Sequence, residues 1–345
     1  MAPLGLEEGP YSGISVAVAR GDRIVFAKGY GLADLSAGVP AEADTVYRIG
    51  SISKPFLAAA MVRLAERGRL SLDDSVATLL PDLPIDPRIT VRQLLSHTSG
   101  LANLGRMPGF DASQGIGMTK DEVVRWIATQ PLEYEPGTEW SYSNSGYLIG
   151  GLVLEEVTGA PVKYMTEEIL SNAGLDRTTY CLANESPPDT RGYDVVGEGW
   201  DRVLRLGRPP AFVSAPPANM SLLGTVGPTC STVTDLVHWL AALREGEVVS
   251  ERSYEMMSES IELPNGESVP YGIGLQLRED FGHRSIGHSG LINGFVSLVR
   301  YFPEADVTIA FLANTSPPNP PERLWEELVR AVFVEDAPDT EGGNS

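Results

Sequence analysis

The sequence predicts an α+β fold in which strands from both ends of the chain build one sheet-and-helix region, with a mainly helical region inserted between them. Three observations carry this. Near the start, Ile14, Val16 and Val18 alternate, Arg20-Gly21-Asp22-Arg23 turns the chain, and Ile24 to Tyr30 continues as a partner strand, the pattern of a β-hairpin. Near the end, Phe295 to Phe302 and Val307 to Leu312 flank Pro303-Glu304-Ala305-Asp306 as a second hairpin, and apolar residues at helical spacing from Trp325 to Phe333 predict a helix packed on the sheet. Between them, from Ser71 to Ala218, the chain reads as helices joined by Pro- and Gly-rich loops. The expected organisation is an α/β region built from residues 1–70 and 219–345, closed by both termini, and an inserted helical region over 71–218, the two packed as one unit.

At 345 residues the chain is long enough to bury a large core, and it carries no repeat, low-complexity tract or long linker. The formal charge of −20, from 46 acidic against 26 basic residues, argues against nucleic acid and anionic membrane as partners. Cys181 and Cys230 are the only cysteines, and their spacing suggests neither a metal site nor a disulfide framework. Met1 to Glu8 lacks a basic region followed by an apolar run, so a cytoplasmic protein without an export signal is expected. The tail from Asp336 to Ser345 is polar and Gly-rich and is expected to fray.

The richest stretch is Arg48-Ile49-Gly50-Ser51-Ile52-Ser53-Lys54-Pro55. It sets a serine and a lysine three residues apart at a helix start, which puts both side chains on one face. A serine hydroxyl is a weak nucleophile until a neighbouring base takes its proton, and a desolvated amine is able to do so. Phe56, Leu57, Met61, Leu64 and Ala65 recur at helical intervals, so this helix is expected to be buried and to hold Ser51 rigidly. Only Lys28, Lys54, Lys120 and Lys163 are lysines, which makes Lys54 an uncommon choice rather than surface dressing. Taken alone, the tetrapeptide is equally compatible with Ser51 or Ser53 as a helix cap and Lys54 in solvent. Two further segments weigh against that. Tyr142-Ser143-Asn144 lies between the turn-rich Glu135-Pro136-Gly137-Thr138 and an apolar helical run from Tyr147 to Val157, and His288-Ser289-Gly290 sits between Gly287 and Gly294 on a strand that comes close to any bound molecule.

In order and separation these three segments resemble the motifs of the serine β-lactamase and penicillin-binding-protein superfamily, in its class C β-lactamase-like branch of esterases, D-aminopeptidases and D,D-carboxypeptidases. Ser51-Ile52-Ser53-Lys54 looks like the first motif, Tyr142-Ser143-Asn144 the second, and His288-Ser289-Gly290 the third in its H-x-G form. The segments Ile89 to Leu101 and Tyr271-Gly272-Ile273-Gly274-Leu275 add to the similarity, which runs from about Gly13 to Ala313. The β-lactamase/transpeptidase-like fold so implied is an antiparallel β-sheet flanked by helices with an inserted mainly helical region, and the catalytic cleft at their junction.

The resemblance implies a serine hydrolase that cleaves an ester or amide of a small substrate through a covalent acyl-Ser51 intermediate. Lys54 and Tyr142 share the base work, and which of them takes the proton stays open. Asn144 orients the substrate, and the backbone N–H groups of Ser51 and Leu291 match the oxyanion-hole positions. His288, Ser289 and Gly290 line the opposite wall. No metal and no cofactor is expected, and the expected partner is a small ester, amide or peptide. His97, His238 and His283 fall in no motif that needs imidazole, so structural or surface roles are expected for them. Where a lysine would face a substrate carboxylate, this chain has His288, which favours an esterase, amidase or peptidase over a true β-lactamase or D,D-carboxypeptidase. An imidazole there is expected to titrate near pH 6.5 and to pair with a substrate carboxylate when protonated. A penicillin sensor or scaffold that acylates without turnover is the non-enzyme alternative. The loops Leu101 to Gln114 and Asp189 to Pro217 are expected to shape the pocket. The pattern Gly287-His288-Ser289-Gly290-Leu291 fails the G-x-S-x-G nucleophile elbow at its fifth position, and the chain lacks the repeated β-α alternation that such a fold requires.

Overall fold

The structure, a computed structural model, describes residues 11–107, 119–181, 187–196, 211–216, 229–316 and 322–334. The expectations for the first eight residues and for the tail lie outside them, as do parts of the two pocket loops. A seven-stranded antiparallel sheet organises the rest, in the order Val39–Pro40, Arg23–Asp34, Gly13–Arg20, Val307–Ala313, Phe295–Phe302, His283–Ile292, Gln276–Asp280. Both expected hairpins are present, with Ala17 opposite Ala27 in the first and Phe302 opposite Val307 in the second. The two join directly: Gly13–Arg20 pairs with Val307–Ala313, so the start and the end of the chain meet at the centre of the sheet.

Period-two alternation then divides the core. Ala17, Ala19, Val299, Ala310 and Leu312 face the helices Ser53–Glu66 and Val233–Arg244, while Val16, Ile309, Phe311 and Phe302 face Glu322–Val334 through Trp325, Leu328 and Val329. Alanines on the first face let the helices approach closely, and Phe56 stacks on Trp239 with ring centroids 4.0 Å apart. The Ser53–Glu66 helix is buried on every side, from Ser53 to Val62 without a break, because it lies between the sheet and the helical region. That burial fixes the segment in front of it, which contains Ser51.

Asn314, fully buried, ties the ends together. Its Oδ1 accepts from Gly13 N at 2.7 Å, and its Nδ2 donates to the carbonyls of Leu32, Ala33 and Arg191 at 3.1, 2.9 and 3.1 Å.

The stretch expected to be mainly helical is less uniform than its composition suggests. It holds the helices Val91–Leu95, Lys120–Thr129 and Asn144–Thr158, and also the short strands Thr179–Tyr180, Tyr193–Val196 and Ala211–Ser214. Thr179–Tyr180 pairs with Thr229–Ser231, which in turn pairs with Tyr47–Arg48 just before Ser51. This pairing corrects the reading of the cysteines. Thr179 lies opposite Cys230, so Cys181 is carried to it and the two form a disulfide, with Cα atoms 5.9 Å apart across 49 residues of sequence. Strand pairing between distant segments made the contact, and the spacing along the chain held no trace of it. No helix among the described residues is long and apolar enough to cross a membrane.

Candidate active site

Gly50 adopts φ +50, a conformation natural to glycine, and opens a single 3₁₀ turn, Gly50–Ile52, that runs into the Ser53–Glu66 helix. Ser51 therefore sits on the turn before the helix, half-exposed, and Ser53 donates its hydroxyl to Gly50 O at 2.7 Å to brace that turn. Lys54, one turn on, is only 4 % exposed. Its Nζ donates to Ser51 Oγ and to Asn144 Oδ1, each at 2.9 Å, and lies 5.0 Å from the centre of the Tyr142 ring. Four of the sequence-predicted residues are thus one cluster.

Ser143, rather than Asn144, caps the Asn144–Thr158 helix, with its side chain accepting from Ser145 N at 3.2 Å. That frees the Asn144 amide for Lys54. The Tyr142–Asn144 segment is anchored from behind by two groups: Asn103, for which the sequence suggests no role, and His97, for which it suggests a structural or surface one. Asn103 Nδ2 donates to Tyr142 O at 3.0 Å, and His97 Nδ1 accepts from Ser143 N at 3.1 Å. His97 holds φ +63, is buried, and packs its ring 4.3 Å from that of Tyr142. Burial first and the Lys54 charge second push its pKa well below 6.5, so it stays neutral and accepting. The signal was present in Ser96-His97-Thr98-Ser99-Gly100, one of the similar segments, without a mechanism attached.

The third segment closes the site. A Cβ on Gly290 would lie 2.1 Å from Ile49 O and 3.0 Å from Ser51 N, so only glycine lets this strand reach the Ser51 turn. Ser297, opposite Gly290, donates to Ile49 O at 2.8 Å and locks the two together. Leu291 N faces Gly50 across the same gap, and the Leu291 side chain is 66 % exposed. Ser51, Tyr142, Asn144, Ser289, Gly290 and Leu291 all line one cleft of about 1090 Å³.

His288 is placed otherwise than expected. It is fully buried, and both ring nitrogens are taken: Nδ1 donates to Ser289 O at 2.6 Å and Nε2 accepts from Tyr271 OH at 3.0 Å. Burial, and then the Lys54 charge, push its pKa well below 6.5. The expectation of an imidazole that charges in the physiological range and meets a carboxylate is corrected by this geometry. His288 supports the wall from within and presents no cation to the cleft.

Among the described residues no group of three His, Cys, Asp or Glu side chains is arranged to hold a metal ion. The sequence matches the family described as Beta-lactamase over residues 5–333. The chain belongs to that family. The β-lactamase family relatives include Protein flp of Staphylococcus aureus, 30% identical over 321 residues that make up 90% of this chain and 61% of that protein. This chain thus spans about three fifths of the length of that curated relative. Among solved structures, an octameric penicillin-binding protein homologue from Pyrococcus abyssi matches with TM-score 0.76 and 28% identity, over 94% of this chain and 74% of that one. A D-stereospecific amidohydrolase from a Streptomyces species matches with TM-score 0.76 and 27% identity, over 96% and 98% of the two chains.

Proposed function

We propose that this β-lactamase family member is a serine hydrolase that cleaves esters or amides of small substrates through an acyl-Ser51 intermediate. The observation that carries the proposal is the bond from Lys54 Nζ to Ser51 Oγ at 2.9 Å, made inside a cleft and completed by Asn144. A serine so placed is able to attack a carbonyl while the Lys54–Tyr142 pair accepts its proton and later returns it to the leaving group. The N–H groups of Ser51 and Leu291, brought together where Gly290 and Gly50 leave room, receive the developing oxyanion. Asn144 holds the lysine and the substrate in register.

The likeness to a D-stereospecific amidohydrolase supports an amide or peptide substrate, and the absence of a cation from the His288 position weighs against strong action on penicillins. The test is turnover of short acyl esters, D-amino-acid amides, D-Ala-D-Ala peptides and a chromogenic cephalosporin, each by the natural chain and by Ser51→Ala. Steady turnover that the substitution abolishes supports the hydrolase, whereas a stoichiometric burst without turnover would make it a sensor.

A further inference from the structure

Beside Ser289, the half-exposed member of the third motif, the cleft lining holds a hydrogen-bond chain whose direction is fixed by chemistry. Arg300 Nη2 lies 2.6 Å from Gln276 Oε1. A guanidinium only donates, so the oxygen of the Gln276 amide, and not its nitrogen, faces it. The same oxygen lies 3.2 Å from Ser289 Oγ, and since it only accepts, Ser289 is the donor. A hydroxyl has one hydrogen, and here it is held by Gln276, a neighbour in the cleft lining, rather than left for a bound molecule.

We infer that Ser289 offers the cleft an acceptor, so that the site proposed above takes esters and amides with a neutral or hydrogen-donating group at the third motif and disfavours those that bring a carboxylate there. This rests on the hydrolase reading and narrows its substrate class. Arg300 does not undo it. Its side chain is 2 % exposed, Asp280 Oδ2 stands 3.5 Å from its Nε, and its Nε and Nη1 are covered, so the cation holds Gln276 rather than a substrate. His288 supplies no donor either, both nitrogens being engaged within the wall. Arg278, exposed in the cleft, lies further along the strand opposite Ser285, away from the Ser51 end.

The test compares two matched pairs on the full chain: p-nitrophenyl butyrate with p-nitrophenyl hemisuccinate, and D-alanyl-D-alanine amide with D-alanyl-D-alanine. These place the carboxylate on the acyl side and on the leaving side respectively. The readout is kcat/KM for the charged member divided by that for the neutral one. Gln276→Met removes the acceptor, frees the Ser289 hydrogen for the substrate, and should raise the ratio about tenfold or more in at least one pair, the size of one charge-assisted hydrogen bond. Gln276→Glu keeps an acceptor for both Arg300 and Ser289 and should leave the ratio at or below its original value. In the double variant Gln276→Met, Ser289→Ala the gain should vanish, whereas a gain that came from the freed Arg300 guanidinium would persist. Should Gln276→Met fail to fold, Ser289→Ala gives a second route: it should narrow the advantage of the D-alanyl-D-alanine amide over its acid. A ratio unmoved by Gln276→Met, an advantage widened by Ser289→Ala, or a natural chain that prefers the charged members would overturn the inference. If none of the four substrates is turned over in a Ser51-dependent way, the hydrolase reading itself falls; Ser51-dependent turnover favouring carboxylates overturns only the role given to Ser289.

Discussion

Tyr271 donates its phenolic hydrogen to His288 Nε2 across 3.0 Å inside the wall of the cleft, which leaves the third-motif histidine neutral and turned away from the substrate. Its Nδ1 already carries a proton and gives it to Ser289 O, so only Nε2 can gain one, and it would have to displace the Tyr271 hydrogen that it now accepts. His97, packed against the same Tyr271 ring, is neutral for the same reason of burial.

A pH dependence follows. Both histidines have folded-state pKa values below the unfolded value of about 6.5, so the unfolded chain binds more protons and their contribution to stability is lost as pH falls below that value. Each should steepen the loss by about 1.4 kcal/mol per pH unit. Urea unfolding between about pH 7 and pH 5 should show this slope, and a single substitution, His288→Gln or His97→Gln, should flatten it by one histidine's share. Unchanged slopes in both variants would contradict the burial argument. Over the same range the relative rate for carboxylate and neutral substrates should stay flat, since His288 offers no charge to switch.

Gly290→Ala should be disproportionately harmful for one methyl group. Its Cβ would collide with Ile49 O at 2.1 Å, and the strand would have to back away from the Ser51 turn. With the oxyanion role proposed for the Leu291 N–H, its displacement should lower kcat by about a hundredfold or more, with a stability cost of about 1–3 kcal/mol. A variant with normal turnover would mean that the Ser51 turn and this strand need not touch.

Lys54→Ala and Tyr142→Phe should each reduce kcat by roughly 10²–10⁴-fold. If the two share one proton, the double variant should fall little below the worse single one. Losses that multiply in the double variant would assign them separate steps. Circular dichroism on each variant checks that the helix around Lys54 survives.

Opening the Cys181–Cys230 bond should cost stability, because it closes a loop of 49 residues and ties the residue after Thr179–Tyr180 to Thr229–Ser231, the strand that pairs with Tyr47–Arg48 before Ser51. Loop-closure entropy puts the loss at roughly 4 kcal/mol. Thiol titration with and without reductant, followed by urea unfolding of the natural chain and of Cys181→Ser, measures it. Two free thiols in the unreduced chain would contradict the bond.

Local spacing carried most of what the sequence revealed. Ser51 and Lys54 are three residues apart where a continuous apolar helix begins, and the hairpins around Gly21-Asp22 and Pro303 to Asp306 announce themselves by alternation and turn residues. What stayed hidden depends on partners brought from afar. Whether His288 faces the cleft or the core is decided by Tyr271, 17 residues away, and its own motif is silent on that. The anchoring of Tyr142 by His97 spans the 46 residues between Ser143 and His97, and the Cys181–Cys230 bond depends on a two-residue strand pairing that leaves no periodic signal. The Gln276–Arg300 link is likewise set by strand register, which fixes which side chains share a face.

Covalent labelling shows whether Ser51 is the nucleophile. The chain is treated with a fluorophosphonate or a β-lactam, digested, and the adduct mapped by mass spectrometry, beside Ser51→Ala treated identically. A single adduct is expected on the peptide containing Ser51, absent from the variant, which should also have lost turnover while keeping its fold. Label that survives on Ser51→Ala, or maps to the peptide containing Ser289, would contradict it.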